Sequence, residues 1–101
     1  MTRDEIIAKL KETAPALRAE GVTRLAIFGS RSRGDARDDS DLDVLIDVDS
    51  TKFKGLALIG VLADAQRTIA AATGIPTHAE LHRSIEPRFA QRISDDLIEI
   101  F

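Results

Sequence analysis

The sequence contains no cysteine, no tryptophan and no tyrosine, and its only aromatic side chains are four phenylalanines. Without cysteine, the chain has no disulfide framework, no thiol nucleophile and no cysteine zinc site. With so few aromatic side chains, a platform on which nucleic-acid bases stack is not expected. The candidate chemistry is therefore that of carboxylates, hydroxyls, guanidinium groups and two histidines.

The chain also lacks an excess of positive charge, since 14 lysines and arginines stand against 17 acidic residues and give a net charge of −3. Such a chain does not bind nucleic acid by bulk electrostatics, so no direct nucleic-acid binding is expected. No continuous apolar run approaches the roughly 18 residues of a membrane span. Residues 1–10 lack the order of a secretory signal, so we expect a cytoplasmic protein without membrane contact.

Apolar residues at helical spacing predict three helices. They run from Thr2 or Asp4 to Gly21, from about Phe53 to Thr73, and from Ser84 onwards with Phe89, Ile93 and Leu97 as the buried stripe. Pro15 could kink the first helix, and Gly74 ends the second. The last two residues, Ile100 and Phe101, could belong to the core or to an interface, which includes that of a homo-oligomer.

The sequence predicts strands in three segments between the helices, which are residues 24–28, 41–49 and 77–82. In the second, alternation places Leu42, Val44, Ile46 and Val48 on a core face and leaves carboxylates on the other face. This order of elements predicts an α/β (α+β) fold, with a small mixed sheet backed by helices. At 101 residues, the whole chain is predicted to be one domain, residues 1–101.

The residues best suited to chemistry lie at the ends of the first two predicted strands. Gly29 and Ser30 end the first, and Ser40-Asp41-Leu42-Asp43 begins the second. Residues two apart on a strand point to the same side, about 6.6 Å apart, so Asp41 and Asp43 present their carboxylates to one spot. Such oxygen ligands suit Mg²⁺ with substrate phosphates. Gly29 permits close approach of a phosphate, and Ser30 offers it a hydroxyl and an N–H group.

Two other motifs with similar spacing do not fit these residues. Gly29 and Gly34 have the glycine spacing of a P-loop, but Asp35 occupies the position of its lysine. A calcium loop beginning at Asp39 would have Val44 in place of its glycine. The remaining alternative is a Gly-Ser turn followed by a solvated acidic strand edge.

The segment Gly29-Ser30-Arg31-Ser32-Arg33-Gly34, followed by Ser40-Asp41-Leu42-Asp43-Val44-Leu45, resembles the minimal nucleotidyltransferases (MNT) of the DNA polymerase beta superfamily, the MntA-like proteins. The resemblance extends over the rest of the chain through the order and length of the elements. It implies the nucleotidyltransferase fold, in which two motif aspartates and a third carboxylate on a later strand hold divalent metal. It also implies that the Gly-Ser pair holds the nucleoside triphosphate.

On this resemblance, Asp41, Asp43 and Glu80 are the expected catalytic residues and Mg²⁺ ligands. Glu80 is the only acid of the third predicted strand, where the family usually has aspartate. It shares a face with His78 and His82, which lie about 13 Å apart on a strand and cannot share a zinc ion unless the segment is helical.

The expected nucleotide-binding residues are Gly29, Ser30, Arg33 and Ser40. Arg31, Arg33 and Arg37 all lie between the two halves of the motif, where a guanidinium group could contact phosphate oxygens. Arg33 is preferred because Arg-Gly is common at this place in the family. The alternative for Arg33 is an ion pair with Asp35, Asp38 or Asp39.

The implied activity is transfer of AMP from ATP to a hydroxyl group with release of pyrophosphate. A chain of this length has no room for a second domain that binds the acceptor, so the acceptor is expected on a partner. In the family this is often a HEPN-domain toxin modified on tyrosine, which would make the chain an antitoxin. One alternative is a catalytically weak or inactive antitoxin that acts by binding alone. A stand-alone enzyme for small molecules such as aminoglycosides is disfavoured, because those enzymes carry an additional domain.

Overall fold

The computed structural model describes residues 1–82 and 85–101, and this part of the chain forms four helices and four strands. They are α1 (Arg3–Ala19), β1 (Val22–Phe28), α2 (Ser30–Arg33), β2 (Leu42–Val48), α3 (Leu56–Thr73), β3 (Thr77–Leu81), α4 (Pro87–Ile93) and β4 (Ile98–Glu99). The predicted fold class, a small mixed sheet with helices packed on it, is confirmed. The short helix α2 lies in the segment that joins β1 to β2.

The sheet has the strand order β3-β2-β1-β4. Strand β2 pairs antiparallel with β1 and parallel with β3, and β1 pairs antiparallel with β4. The inner strands β1 and β2 have neighbours on both sides, and β1 is buried along most of its length, as its apolar composition predicted.

Alternation along β2 separates the two faces of the sheet. Leu42, Val44, Ile46 and Val48 are all buried on the first face, where α1 and α3 pack. The predicted core face of this strand is therefore confirmed. Of the two helices, α1 contributes Ile6, Leu10 and Leu17, and α3 contributes Val61, Ala65 and Ile69.

The second face of the sheet is covered only at its middle. There Leu45 of β2 packs with Ala26 and Phe28 of β1 and with Ile93 of α4. The ring of Phe89 meets that of Phe28 edge to face, with 5.7 Å between the ring centroids. The side of β2 that carries the carboxylates is therefore partly enclosed, and is not a simple solvated edge.

The helix boundaries follow from local hydrogen bonds. The Glu5 N–H donates to Thr2 Oγ1 and the Thr2 N–H to Glu5 Oε1, which makes Thr2 the N-cap of α1. Helix α1 continues through Pro15. Helix α3 begins at Leu56 rather than near Phe53, because the Phe53 N–H donates to the Asp49 carbonyl in a turn.

One expectation for the C-terminal segment needs correction. Leu97 is not part of the stripe of α4, because that helix ends at Ile93 and the chain turns there, with the Asp96 N–H donating to the Ile93 carbonyl. The predicted helix start at Ser84 lies outside the described residues, and the N-cap of α4 is Glu86. Strand β4 was not expected, and it brings Ile100 into the core, where its N–H donates to the Leu25 carbonyl.

Helix α3 is long enough and apolar enough to cross a membrane by length and composition. Core helices of soluble proteins meet the same criteria. Here Asp64 and Arg67 interrupt the apolar sequence, and the buried residues of the helix pack against the sheet.

We expect Leu10→Ala to lower the free energy of unfolding by about 2–5 kcal/mol, because it leaves a cavity in the core. Leu10 is 0% exposed, whereas Ile59 on α3 is 63% exposed. The matched control Ile59→Ala should stay within about 0.5 kcal/mol of wild type. Urea unfolding followed by circular dichroism measures both, and equal losses would contradict the assigned core.

Candidate active site

Asp41 and Asp43 are placed by the start of β2. Asp43 lies within the sheet, beside Phe28 of β1 and His78 of β3. Asp41 directly precedes the strand, where the Leu42 N–H donates to the Pro76 carbonyl at 2.9 Å. Asp43 is half-buried and Asp41 is exposed. Because Asp41 lies outside the strand, the convergence of the two carboxylates on one side stays a prediction.

Gly29 brings the two halves of the motif together. Its φ of +78° and ψ of −157° are a conformation that essentially only glycine adopts. A Cβ atom at this position would lie 2.7 Å from Asp43 Oδ2. The sequence indicated that Gly29 leaves room for a phosphate, and in the structure the nearest neighbour in that space is the carboxylate of Asp43.

Ser30 and Ser40 lie at the two ends of the segment that joins β1 to β2. Ser30 begins α2 immediately after Gly29, and the Gly34 N–H donates to the Ser30 carbonyl at 3.0 Å. Ser40 closes a turn, because its Oγ accepts from the Arg37 N–H at 2.9 Å and its own N–H donates to the Arg37 carbonyl at 3.0 Å. The hydroxyl of Ser40 is thus already engaged within the loop.

Arg33, the preferred phosphate contact, makes two ion pairs. Its Nε lies 3.1 Å from Asp35 Oδ2 and its Nη1 lies 2.8 Å from Asp96 Oδ2. The pair with Asp35 is the alternative that the sequence left open. The pair with Asp96 could not be foreseen, because it joins α2 to the turn after α4, 63 residues away.

Arg31 behaves differently from Arg33, since its side chain is buried and turned towards the backbone of the loop. Its guanidinium group donates to the carbonyl oxygens of Ser40 and Asp38. Sequence reasoning named Arg31 only as one of three cations in this loop. No local pattern distinguishes the buried arginine from the exposed one.

Glu80 lies on β3 beside Leu45, two positions along from the pair of Asp43 and His78. Its Oε1 is 2.8 Å from His78 Nε2, and both side chains are partly exposed. In residues 1–82 and 85–101, no three His, Asp or Glu side chains form a cluster that could hold a metal ion. The structure thus brings Asp43 close to Gly29, but it does not gather Asp41, Asp43 and Glu80 into one ligand set.

His78 lies on strand β3 and His82 directly follows it, so the two histidines are not on one helix, the alternative on which a shared zinc site depended. His82 follows the last residue of β3, and its Nδ1 lies 4.0 Å from Asp47 Oδ1. The side chains of His78 and His82 are both exposed.

The electrostatics around Asp43 favour a cation. Burial raises the pKa of Asp43, and the nearby carboxylates of Asp41 and Glu80 raise it further, while His78 and Arg33 lower it. Within the described ranges, neither Asp41 nor Asp43 has a basic side-chain nitrogen within 4.0 Å. Carboxylate oxygens without an ion pair are ligands of the kind that a divalent metal ion such as Mg²⁺ takes.

A small mixed sheet has a Gly-Ser turn at the end of β1 and Asp41 and Asp43 at the start of β2, and the chain belongs to the nucleotidyltransferase domain family, whose model matches residues 4–99. It is similar to the protein adenylyltransferase MntA of Thermococcus cleftensis, with 34% identity over 101 residues. That similarity covers 99% of this chain and 97% of the relative. The predicted family is therefore confirmed.

Solved structures share the fold. A structure of a minimal nucleotidyltransferase superposes with a TM-score of 0.78 at 24% identity, covering 97% of this chain and 95% of that one. A toxin–antitoxin structure with AMP-PNP superposes with a TM-score of 0.65 at 17% identity, covering 90% of this chain and 72% of that one. A structure of a tri-AMPylated Shewanella oneidensis HEPN toxin in complex with MNT antitoxin superposes with a TM-score of 0.58 at 16% identity. The match covers 90% of this chain and 68% of that one. These likenesses confirm the predicted nucleotidyltransferase fold.

Gly29→Ala should lower the free energy of unfolding by about 1–3 kcal/mol through backbone strain, and it should also displace the carboxylate of Asp43. Gly34 has a φ of +84°, but a Cβ atom there would meet no atom of the described residues within 4 Å, so Gly34→Ala is a matched control for strain alone. We expect only Gly29→Ala to weaken the binding of Mn²⁺, measured by electron paramagnetic resonance. Equal Mn²⁺ affinity in the two variants would contradict the contact.

Asp43→Asn should make the protein more stable than wild type at neutral pH. Because the pKa of Asp43 is raised above its ordinary value of 3.8, the folded state binds the proton more tightly than the unfolded state. Wild type therefore loses stability as the pH rises from 3.8 to the raised pKa, and the advantage of the variant should disappear in acid.

Asp49→Asn is the control of opposite sign for this pH experiment. Hydrogen bonds from Thr51 lower the pKa of Asp49. This carboxylate therefore contributes stability at neutral pH, which is lost as the pH falls through the lowered pKa. Thermal unfolding across the acidic range measures both variants, and the same sign for both would refute the assignment.

Proposed function

We propose that this protein is a metal-dependent adenylyltransferase that transfers AMP from ATP to a hydroxyl group of a partner protein and releases pyrophosphate. The observation that carries the proposal is the approach of Asp43 Oδ2 to Gly29, which brings the Gly-Ser turn next to one of the two motif aspartates. The similarity to a protein adenylyltransferase over nearly the full length of both chains supports it. Residues 1–101 form a single catalytic domain on this proposal.

Asp41 and Asp43 are the proposed ligands of the divalent metal, for which we propose Mg²⁺, and Glu80 on the neighbouring strand is the proposed third carboxylate. The metal neutralises charge on the triphosphate oxygens when it is bound. Asp43 suits this role because its carboxylate is already half-buried and its burial is uncompensated by an ion pair in the described part of the chain.

Gly29, Ser30, Arg33 and Ser40 are the proposed nucleotide-binding residues. Gly29 and Ser30 lie beside Asp43 and are assigned to the triphosphate. Arg33 and Ser40 are assigned a supporting role, since their hydrogen bonds to Asp35, Asp96 and the Arg37 N–H hold the loop around the site.

The acceptor hydroxyl is assigned to a HEPN-domain toxin, with this protein as its cytoplasmic antitoxin. The chain contains no tyrosine, so a tyrosine acceptor must belong to another protein. A solved complex of related fold joins an AMPylated HEPN toxin to an MNT antitoxin, which supports this choice of partner. Tyrosine is the proposed acceptor because its phenolic oxygen can act as the nucleophile once its proton is removed.

A second candidate function is neutralisation of the toxin by binding alone. The observation that favours it is the hydrogen bond between Glu80 Oε1 and His78 Nε2, which engages the predicted third carboxylate. Glutamate also replaces the aspartate that is usual in the family. The two functions differ in whether the paired aspartates are needed for neutralisation.

The test is transfer of label from α-labelled ATP with Mg²⁺ to the product of the adjacent reading frame, which we expect to be a HEPN-domain protein. We expect wild type to label the partner and the double variant Asp41→Asn/Asp43→Asn to give only background, because the metal ligands are lost. The double variant should still bind the partner. The matched control Asp47→Asn changes a carboxylate on the same strand that pairs with Arg24 and His82, away from Gly29, and should retain labelling.

Two results would contradict the enzymatic proposal. One is the absence of label with wild type although a tight complex with the partner forms. The other is neutralisation of the toxin by the double variant as efficiently as by wild type. Both would support the function by binding alone.

A further inference from the structure

Arg31 is the one charged residue in residues 1–82 and 85–101 that is buried, with 9% of its surface exposed. It follows Gly29 and Ser30 in the short helix α2. Removing a guanidinium group from water is costly unless its donors are satisfied. The contacts that satisfy Arg31 therefore indicate what its burial achieves.

The partners of Arg31 are backbone carbonyls of the loop before β2. Its Nη2 lies 2.7 Å from the Ser40 carbonyl oxygen, and its Nε lies 3.3 Å from the same oxygen. Nη2 also lies 3.4 Å from the Asp38 carbonyl oxygen. No carboxylate oxygen of the described residues lies within 4.0 Å of this group. Arg31 thus donates to backbone carbonyls, whereas Arg33 donates to side-chain carboxylates.

The Ser40 carbonyl belongs to the peptide bond that joins Ser40 to Asp41, and Asp41 lies beyond the last pair of the β1–β2 ladder. That ladder ends at Asp43, opposite Phe28. Pairing with β3 begins at Leu42, whose N–H donates to the Pro76 carbonyl. Asp41 is therefore held between two anchors, Leu42 on one side and the guanidinium group of Arg31 on the other.

We propose that Arg31 is a positioning residue that clamps the Ser40 carbonyl and so sets the place of Asp41 relative to Asp43. The inference rests on the proposed function of the two aspartates as metal ligands. Asp43 needs no such clamp, because strands on both sides hold it. Arginine suits this role better than lysine, because its planar guanidinium group directs two N–H groups to the Ser40 carbonyl and a third to the Asp38 carbonyl.

The test compares Arg31→Ala and Arg31→Lys with wild type. We expect Arg31→Ala to shift the amide resonances of Ser40 and Asp41 more than that of Asp43. We also expect it to weaken Mn²⁺ binding and AMP transfer by about 10–100-fold, as loss of a group that orients a metal ligand does. Arg31→Lys keeps the charge and much of the buried stem. Its Mn²⁺ affinity and its rate of AMP transfer should therefore lie between those of wild type and Arg31→Ala.

Arg24→Ala is the matched control, because Arg24 also donates two hydrogen bonds, but to Glu99 at the edge of the sheet. It should leave Mn²⁺ binding and the Asp41 resonance unchanged. Free guanidinium ion, at concentrations far below those that unfold the protein, should restore Mn²⁺ binding in Arg31→Ala. A cavity of about 230 Å³, lined by Thr2, Arg3, Ile6 and Arg31, opens a path for that ion. The ion should not restore binding in Asp41→Asn.

The outcomes separate this inference from the proposed function. Wild type that binds Mn²⁺ but transfers no AMP would overturn the proposed function. The inference about Arg31 would then still be tested by the Mn²⁺ affinity of the Arg31 variants. Unchanged Mn²⁺ affinity in both Arg31 variants would overturn the inference. If Arg31→Ala does not fold, Arg31→Lys decides with the same measurements. Failure of wild type to bind Mn²⁺ would overturn both.

Discussion

The proposed site depends on the close approach of the Asp43 carboxylate to Gly29. Any side chain at residue 29 would place its first carbon 2.7 Å from Asp43 Oδ2, and the φ of +78° there is itself unfavourable for other residues. The contact exists because β1 and β2 are antiparallel neighbours, so that the end of one strand meets the start of the other. The proposed site is therefore a consequence of the pairing of the two inner strands.

The alternation of β2 serves the core and the proposed site together. One face of the strand supplies buried apolar residues that pack against α1 and α3. The other face supplies Asp43, then the buried Leu45 under α4, then Asp47. Because α4 covers only the middle of that face, the carboxylate beside Gly29 stays partly open to solvent while the strand itself remains fixed. This arrangement leaves a half-buried acid whose pKa is raised by burial, in a position where a cation would stabilise its charge.

Much of the fold follows from periodicity, because the relevant signals are local. The pattern from Leu42 to Val48 predicts both faces of β2, and Gly74, with a φ of +72°, ends α3 as expected. Strand β4 has only two residues, too few for alternation, and its place depends on pairing with β1. Leu97 fits the spacing of α4 but lies beyond its end, because the chain turns back towards the sheet.

The candidate site could be predicted in outline and not in its contacts. The residue types and spacing of Gly29, Ser30, Asp41 and Asp43 indicate phosphate and metal chemistry without any structure. The ion pair of Arg33 with Asp35 was among the alternatives that the sequence left open, but the partners of Arg31 and the pair of Arg33 with Asp96 could not be predicted. Arg33 and Asp96 are 63 residues apart in the sequence. The hydrogen bond between Glu80 and His78 depends on the rotamers of both side chains. Such contacts are set by tertiary packing, which leaves no mark in the spacing of residues along the chain.

The measurement that tests the central claim most directly is a crystal structure with Mn²⁺ and a non-hydrolysable ATP analogue. The account predicts anomalous signal from Mn²⁺ at the carboxylates of Asp41 and Asp43, with the triphosphate beside Gly29 and Ser30. Metal and nucleotide bound at another place on the sheet, with Asp41 and Asp43 free of both, would contradict it.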